Sequence, residues 1–279
     1  MAYRLKRKES IAKGVRRVAR RELSRAVEQL RGRCARGLEE PIHEARKRIK
    51  KVRALLRLAQ DDLGGSYRSA SRRLREAGRN LSPVRDAGAL ITAFDRLTTR
   101  KKIRKRDSEA MRRALVQHKT QVEEELGVGE LAGRTARLLE QVRKSAKRWK
   151  VQRDGFRAIE AGVKKAFRRG RKALCTAVDS GRREDLHEWR KRVKDHWYHA
   201  RLLGAGTSYE RRLKELEDAL GEFLNLAMLR EHAIGAPPAL IAAIDEEEGE
   251  LRKRALEIGG KVYRMGPAEV AKMLRKSWK

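Results

Sequence analysis

Aromatic residues make up only 5% of the 279-residue chain, so the stacking surfaces that grip unpaired bases have little to be built from. There are two cysteines, Cys34 and Cys175, with no Cys-x-x-Cys and no Cys/His ligand spacing. That excludes zinc fingers and ribbons and argues against a disulfide framework. Each cysteine is expected to be a small core or boundary residue. No apolar run approaches the length of a membrane span, and the opening "MAYRLKRKES" lacks the apolar region of a signal peptide. A soluble, reducing, cytoplasmic setting is the expectation, with no membrane partner. No stretch alternates apolar and polar residues as a half-buried strand does. Acid is also scarce: 38 Asp and Glu stand against 71 Lys and Arg.

What is present is positive charge. A net +33 and a pI near 11.0 impose self-repulsion unless an anion is close by. Candidate partners are nucleic acid, an anionic membrane surface or a phosphate polymer. Apolar residues, at 40%, suffice for a core, and they recur at three- and four-residue intervals. All five prolines (Pro41, Pro83, Pro237, Pro238 and Pro267) stand where a helix could begin, the position that tolerates a missing N–H. Ser82-Pro83 reads as a cap followed by a first-turn proline. The chain is therefore expected to be all-α, with about ten helices. They are placed near 9–31, 41–60, 66–81 and 83–98, then, after a basic linker "TTRKKIRKR", near 107–126 and 130–150. Beyond a break at Asp154-Gly155 they follow near 156–179, 183–203, 208–221, 222–233, from Pro237 to 258, and from Pro267 onward.

An internal repeat organises this list. "HEARKRIKKVRALLRL" begins at His43 and "HEWRKRVKDHWYHARLL" at His187, about half the chain apart (187 − 43 = 144). Upstream of both lie basic amphipathic stretches, and "RRLREAGRNLSPVRDAGAL" (72–90) echoes "RRLKELEDALGEFLNLAML" (211–229). Two tandem helical units predict two helical-bundle halves, 8–150 and 155–279, facing each other across a pseudo-two-fold axis within one domain spanning 1–279.

On a helical projection His43, Arg46, Lys47, Lys50, Ala54 and Arg57 form one stripe, opposed by Ile42, Ala45, Ile49, Val52, Leu56 and Ala59. In the second copy His187, Arg190, Lys191, Lys194, Tyr198 and Arg201 form the stripe, opposed by Leu186, Trp189, Val193, Ala200 and Leu203. Carboxylates at neutralising i,i+4 positions are scarce, and Glu44 and Glu188 sit about a quarter-turn away. The stripes are therefore candidate anion-binding faces, against the plainer reading of solvated helix surface. Lys51 and Arg53 flank the first stripe. Arg16 and Arg20, then Arg68, Arg72, Arg75 and Arg79, extend the charge in the first half; Lys165, Arg168, Arg169 and Arg212 do so in the second. The second-half counterpart of the Arg72–Arg79 helix is less basic, with Glu215, Glu217 and Asp218, so the halves should bind unequally. His43 and His187 are either phosphate donors or neutral partners in helix–helix hydrogen bonds. His196 and His199 face the apolar side and are expected to pack. His118 and His232 show no partner.

The two His-Glu-x-Arg-Lys-Arg blocks, "FRRGRKAL" before the second, "LSPVRDAGAL" and the ending "GPAEVAKMLRKSW" resemble the CHAD family, the conserved histidine α-helical domain, over essentially the whole chain. In "LSPVRDAGAL" Ser82 stands where the family has Gly, and Leu224-Asn225 replaces Arg-Asp in the second copy. The resemblance implies two four-helix bundles and binding of inorganic polyphosphate by basic residues on the surface and in the cleft between them. It assigns His43, Arg46, Lys50, Lys51 and Arg53 to the first motif, His187, Arg190, Lys191, Lys194 and Tyr198 to the second, and Arg85-Asp86 to the Arg-Asp pair. Family members are often fused to a triphosphate-processing domain; this chain is expected to stand alone.

The leading expectation is a non-catalytic polyphosphate-binding protein, cytoplasmic and associated with polyphosphate granules, in a targeting or scaffolding role. Its second reading is a basic nucleic-acid-binding protein, although no helix-turn-helix is recognisable. No cofactor or metal is expected. His-Glu pairs that are not HExxH cannot turn both side chains to one metal, though His43 and His187 brought together could hold a cation. The acidic runs 123–125 and 245–248 are expected to be solvated faces.

Overall fold

The computed structural model describes residues 3–32, 37–204 and 206–278, which form twelve α-helices, one short 3₁₀ turn and no strand. Cys34 lies outside the described residues. In chain order the helices are α1 (Ile11–Arg31), α2 (Glu39–Leu58), the single turn α3 (Gln60–Leu63), α4 (Gly65–Asn80), α5 (Ser82–Arg100), α6 (Lys105–Glu125) and α7 (Val128–Ser145). A 3₁₀ turn at Ala146–Arg148 then leads to α8 (Arg157–Ser180), α9 (Arg183–Leu202), α10 (Ser208–His232), α11 (Pro238–Val262) and α12 (Pro267–Ser277).

Local chemistry sets most boundaries. Ser10 caps α1 by accepting the Lys13 amide, and Thr207 does the same for α10 with Glu210. Proline falls in the opening turns of α2, α5, α11 and α12. Ser82, expected as a cap, is instead the first residue of α5: its hydroxyl donates to the Gly78 carbonyl at 3.0 Å and accepts from Arg46. The expected break between 221 and 222 is absent, and α10 runs unbroken from Ser208 to His232. Leu216, Leu220, Phe223, Leu224 and Ala227 keep one buried face through Gly221, which outweighs the modest helix cost of a glycine. The basic linker shrinks to four residues, because α5 continues to Arg100 and α6 starts at Lys105.

Helices α1, α2, α4 and α7 pack in a ring, as do α8, α9, α10 and α11; α5 sits against α2 and reaches across to α10, and α2 also lies on α8 and α9. The apolar faces expected of both repeated blocks are buried, with Ile42, Ile49, Val52, Leu186, Trp189 and Val193 at most 1% exposed. Two contacts fix how α2 meets the second ring. His199 Nε2 donates to the Ala54 carbonyl at 2.8 Å, and Gly162 of α8 lies so near Leu58 that a Cβ there would stand 2.0 Å from its carbonyl oxygen. His199 and His196 are buried, as expected; burial pushes their pKa down to about 4 and about 3, so both are neutral. Cys175 is exposed on the outer part of α8, where only Ala177 is buried, rather than a core residue.

The acidic run at 245–248 is only partly the solvated face expected: Asp245 and Glu246 are exposed, but Glu247 and Glu248 turn inward. Glu247 is 3% exposed and takes Arg100 and Lys101, Glu248 takes Arg183, and Asp245 takes Arg230. These pairs tie α11 to α5, α9 and α10. His118 and His232 pair with each other, ring centroids 5.1 Å apart, where α6 approaches α10.

Candidate anion-binding cleft

α2, α5, α9 and α10 enclose a cleft of about 740 Å³. Ten Lys and Arg residues line it against five carboxylates. Of the residues expected from sequence, His43, Arg46, Lys47, Lys50 and Lys51 of α2 and Arg190, Lys194, Tyr198 and Arg201 of α9 are brought together here. Each repeated block thus supplies one wall.

The walls are held differently. On α2, Arg46 Nη1 donates to the Gly78 carbonyl at 2.6 Å and to Ser82 Oγ at 2.7 Å, fixing its guanidinium at the α4–α5 corner. On α9, Arg190 and Lys194 both reach the Glu217 carboxylate of α10, at 3.0 and 2.5 Å. Glu217 is 4% exposed, and its two cations hold its pKa down to about 2 against the opposing effect of burial. The Arg190 guanidinium packs so tightly on α10 that a Cβ at Gly221 would sit 2.8 Å from it.

Lys50 has no such partner. Among the described residues no carboxylate reaches it, and it is surrounded by the charges of Lys194, Arg46, Arg190 and Arg85. Burial, and then those like charges, pull its pKa well below the ordinary lysine value. Lys194, 144 positions later, carries the matching ammonium, but with Glu217 beside it. The first-half wall of the cleft is therefore under-neutralised and the second-half wall is not.

His43 and His187 stand at exposed positions and form no hydrogen bond with the described residues, so the helix–helix role is not what they do here. Partial desolvation by the surrounding side chains lowers both pKa values, joined by Arg85 and Lys47 at His43 and by Lys191 and Arg190 at His187. Glu44 and Glu188 neutralise more than a helical projection shows: Glu44 pairs with Lys47 and Arg48, Glu188 with Lys191 and Arg192. Lys51 is shared with Glu22 at 3.4 Å and rests on the Tyr3 ring. Tyr198 stacks on Trp197 with centroids 4.8 Å apart, and Arg201 covers the same indole at 5.0 Å, closing one end of the cleft.

Other expected residues lie elsewhere. The α2 stripe divides at Ala54, where α9 crosses. Arg57 turns away from the cleft to Asp195 at 2.8 Å and lines a small hollow with Lys165 and Arg169. Arg53 lies near Arg57 and Arg75, and burial with Arg57 lowers its pKa to about 10. Arg72, Arg75 and Arg79 are exposed along α4, Arg168 on α8 and Arg212 on α10, and Arg16 and Arg20 line a separate groove between α1 and α7. Arg85, Arg96 and Lys214 line the cleft without having been among the expected binding residues. Arg85 was visible only as half of the Arg-Asp pair.

Comparison with known proteins identifies the family once this geometry is in view. A family model described as the CHAD domain matches residues 17–233. The chain belongs to the CHAD domain family. The chain is similar to the solved structure of PptA from Streptomyces chartreusis, with a TM-score of 0.64 and 14% identity over 92% of this chain and 98% of that one. It is likewise similar to the CHAD domain from the plant Ricinus communis, with a TM-score of 0.57 and 14% identity over 100% of this chain and 96% of that one. No curated protein matches the chain. None of its helices is long and apolar enough to cross a membrane, among the described residues.

Proposed function

We propose that this CHAD protein binds inorganic polyphosphate in the cleft between α2, α5, α9 and α10, without catalysing a reaction on it. The observation that carries the reading is Lys50: a half-buried ammonium with no carboxylate partner among the described residues, ringed by Arg46, Arg85, Arg190 and Lys194. Such a cluster is electrostatically incomplete and gains most from a ligand dense in negative charge. Guanidinium groups bridge phosphate oxygens, and lysine adds a mobile point charge. Polyphosphate carries a charge on every unit and no base, so it needs cations and no stacking platform; the two aromatic residues of the lining, Trp197 and Tyr198, are stacked on each other. Family membership supports the same ligand, and a role in targeting or scaffolding at cytoplasmic polyphosphate granules would require binding alone.

The test is titration of polyphosphate into the wild type and into Lys50→Glu/Arg85→Glu at fixed salt. Arg46 is avoided, because its bonds to Gly78 and Ser82 also hold the fold. Affinity unchanged within a factor of two would remove the cleft assignment. Displacement of polyphosphate by DNA or RNA at equal phosphate concentration would favour a nucleic-acid ligand instead. Release of phosphate with Mg²⁺ or Mn²⁺ would overturn the non-catalytic reading.

A further inference from the structure

A second concentration of charge shares no residue with the cleft. Along α1, Lys13, the pairs Arg16-Arg17 and Arg20-Arg21, and Arg25 follow one another about a helical turn apart and face a groove of about 870 Å³ against α7. From Lys13 to Glu28 the groove follows about 22 Å of helix. The lining holds eight Lys and Arg and a single carboxylate, Glu28, which takes the Ser24 hydroxyl. Arg17 and Arg143 are committed to Glu9 and Glu140, and Arg16 to the Trp149 carbonyl. No ion pair engages Lys13, Arg20, Arg21, Arg25 or Lys147 among the described residues, and one Arg21 guanidinium nitrogen is buried without an acceptor. Five cations left without a carboxylate along one open groove are electrostatically incomplete and favour a ligand dense in negative charge.

We propose that the α1–α7 groove is a second phosphate-polymer site, independent of the cleft; its ligand class rests on the polyphosphate reading above. The groove is elongated, which suits a linear polyanion better than a single phosphate. Its lining contains no aromatic residue, so it offers no stacking surface for bases, and no apolar pocket for the side chains of a peptide. A protein with two such sites can hold one long chain at two places or link two chains.

The experiment is calorimetric titration of short-chain polyphosphate into the intact protein, into Arg20→Glu/Arg25→Glu and into Lys50→Glu/Arg85→Glu, at several salt concentrations, with circular dichroism confirming that each variant is folded. Arg20 is exposed and neither α1 arginine side chain bonds to another of the described residues, so the groove variant should fold normally. Two classes of site are expected in the wild type. The groove variant should lose one class and keep the other, and the cleft variant should do the reverse. In the wild type both classes should weaken as salt rises, and in the groove variant only the cleft class should remain to show that dependence. Unchanged stoichiometry and affinity in the groove variant would overturn the second site and leave the cleft untouched. Loss of all binding in the cleft variant would also overturn it, since the groove would then hold nothing by itself. Displacement of the groove-bound ligand by single-stranded DNA at equal phosphate concentration would overturn the assignment to a base-free polymer. No binding of polyphosphate to any form would instead refute the functional reading on which the groove depends.

Discussion

Two lysines 144 positions apart should respond in opposite ways to the same substitution. Lys50→Met removes an unpaired charge and keeps most of the volume. Exchanging buried charge for apolar groups of similar size stabilises by about 1–4 kcal/mol, and the lower end applies because Lys50 is still partly exposed to the cleft. Lys194→Met instead takes away the closer of the two cations on Glu217, which is 4% exposed and keeps only Arg190 at 3.0 Å. Weakening that buried carboxylate's solvation should cost about 1–3 kcal/mol. At roughly 2–4 °C per kcal/mol for a chain of this size, the two variants should melt on opposite sides of the wild type. For polyphosphate the signs coincide. Each loses a charge-assisted contact of about 1.5–3 kcal/mol, so affinity should drop about 10- to 100-fold, with the larger loss at Lys50. Thermal unfolding without ligand, paired with calorimetric titration, reads both effects. If Lys50→Met melts below the wild type, or binds polyphosphate equally well, Lys50 is a structural residue and the reasoning about the cleft fails.

Glu217→Gln should free Arg190 and Lys194, raising polyphosphate affinity several-fold in a binding titration while lowering the melting temperature. Polyphosphate binding should take up protons: in the free protein burial and nearby cations lower the pKa of His43, His187 and Lys50, and a polyanion reverses the charge effect, so affinity should rise as pH falls from 8 towards 6, measurable as buffer-dependent binding enthalpy. For His199 the folded pKa of about 4 lies below its ordinary 6.5, so its neutral form contributes stability above pH 6.5 that is lost as pH falls towards 4. Urea unfolding should show about 2 kcal/mol of loss from this residue between pH 7.5 and 5, abolished in His199→Gln. Gly162→Ala would push a methyl group against the Leu58 carbonyl, and backbone on both sides cannot yield cheaply; about 1–3 kcal/mol or more should disappear from the unfolding free energy.

Helical periodicity carried a large part of the fold into view, because burying one face of a helix leaves the same three- and four-residue signature wherever the helix goes. The α2 and α9 stripes were legible for that reason, and the duplication made them a pair. The partners those stripes would meet were not legible. Glu217 lies on α10, and its claim on Arg190 and Lys194 arises only when α10 packs on α9. Arg57 shares the α2 stripe yet leaves the cleft, because α9 crosses α2 at Ala54 and puts Asp195 within its reach. Glu44 and Glu188 project away from the stripes, but long side chains swing back to Lys47 and Lys191. Arg85 entered the cleft from a helix with no basic stripe of its own, and His118 met His232 only through the approach of α6 to α10. A helical projection treats each helix alone, and every one of these outcomes depends on two.

The cleft assignment is tested most directly by a crystal structure of the protein soaked with short-chain polyphosphate. Phosphorus positions between the walls, with oxygen atoms within hydrogen-bond distance of Lys50 Nζ and of the Arg46 or Arg85 guanidinium, are the expected result. Phosphate bound only along exposed helices such as α4, with the cleft free of anion and Lys50 still unpartnered, would contradict it.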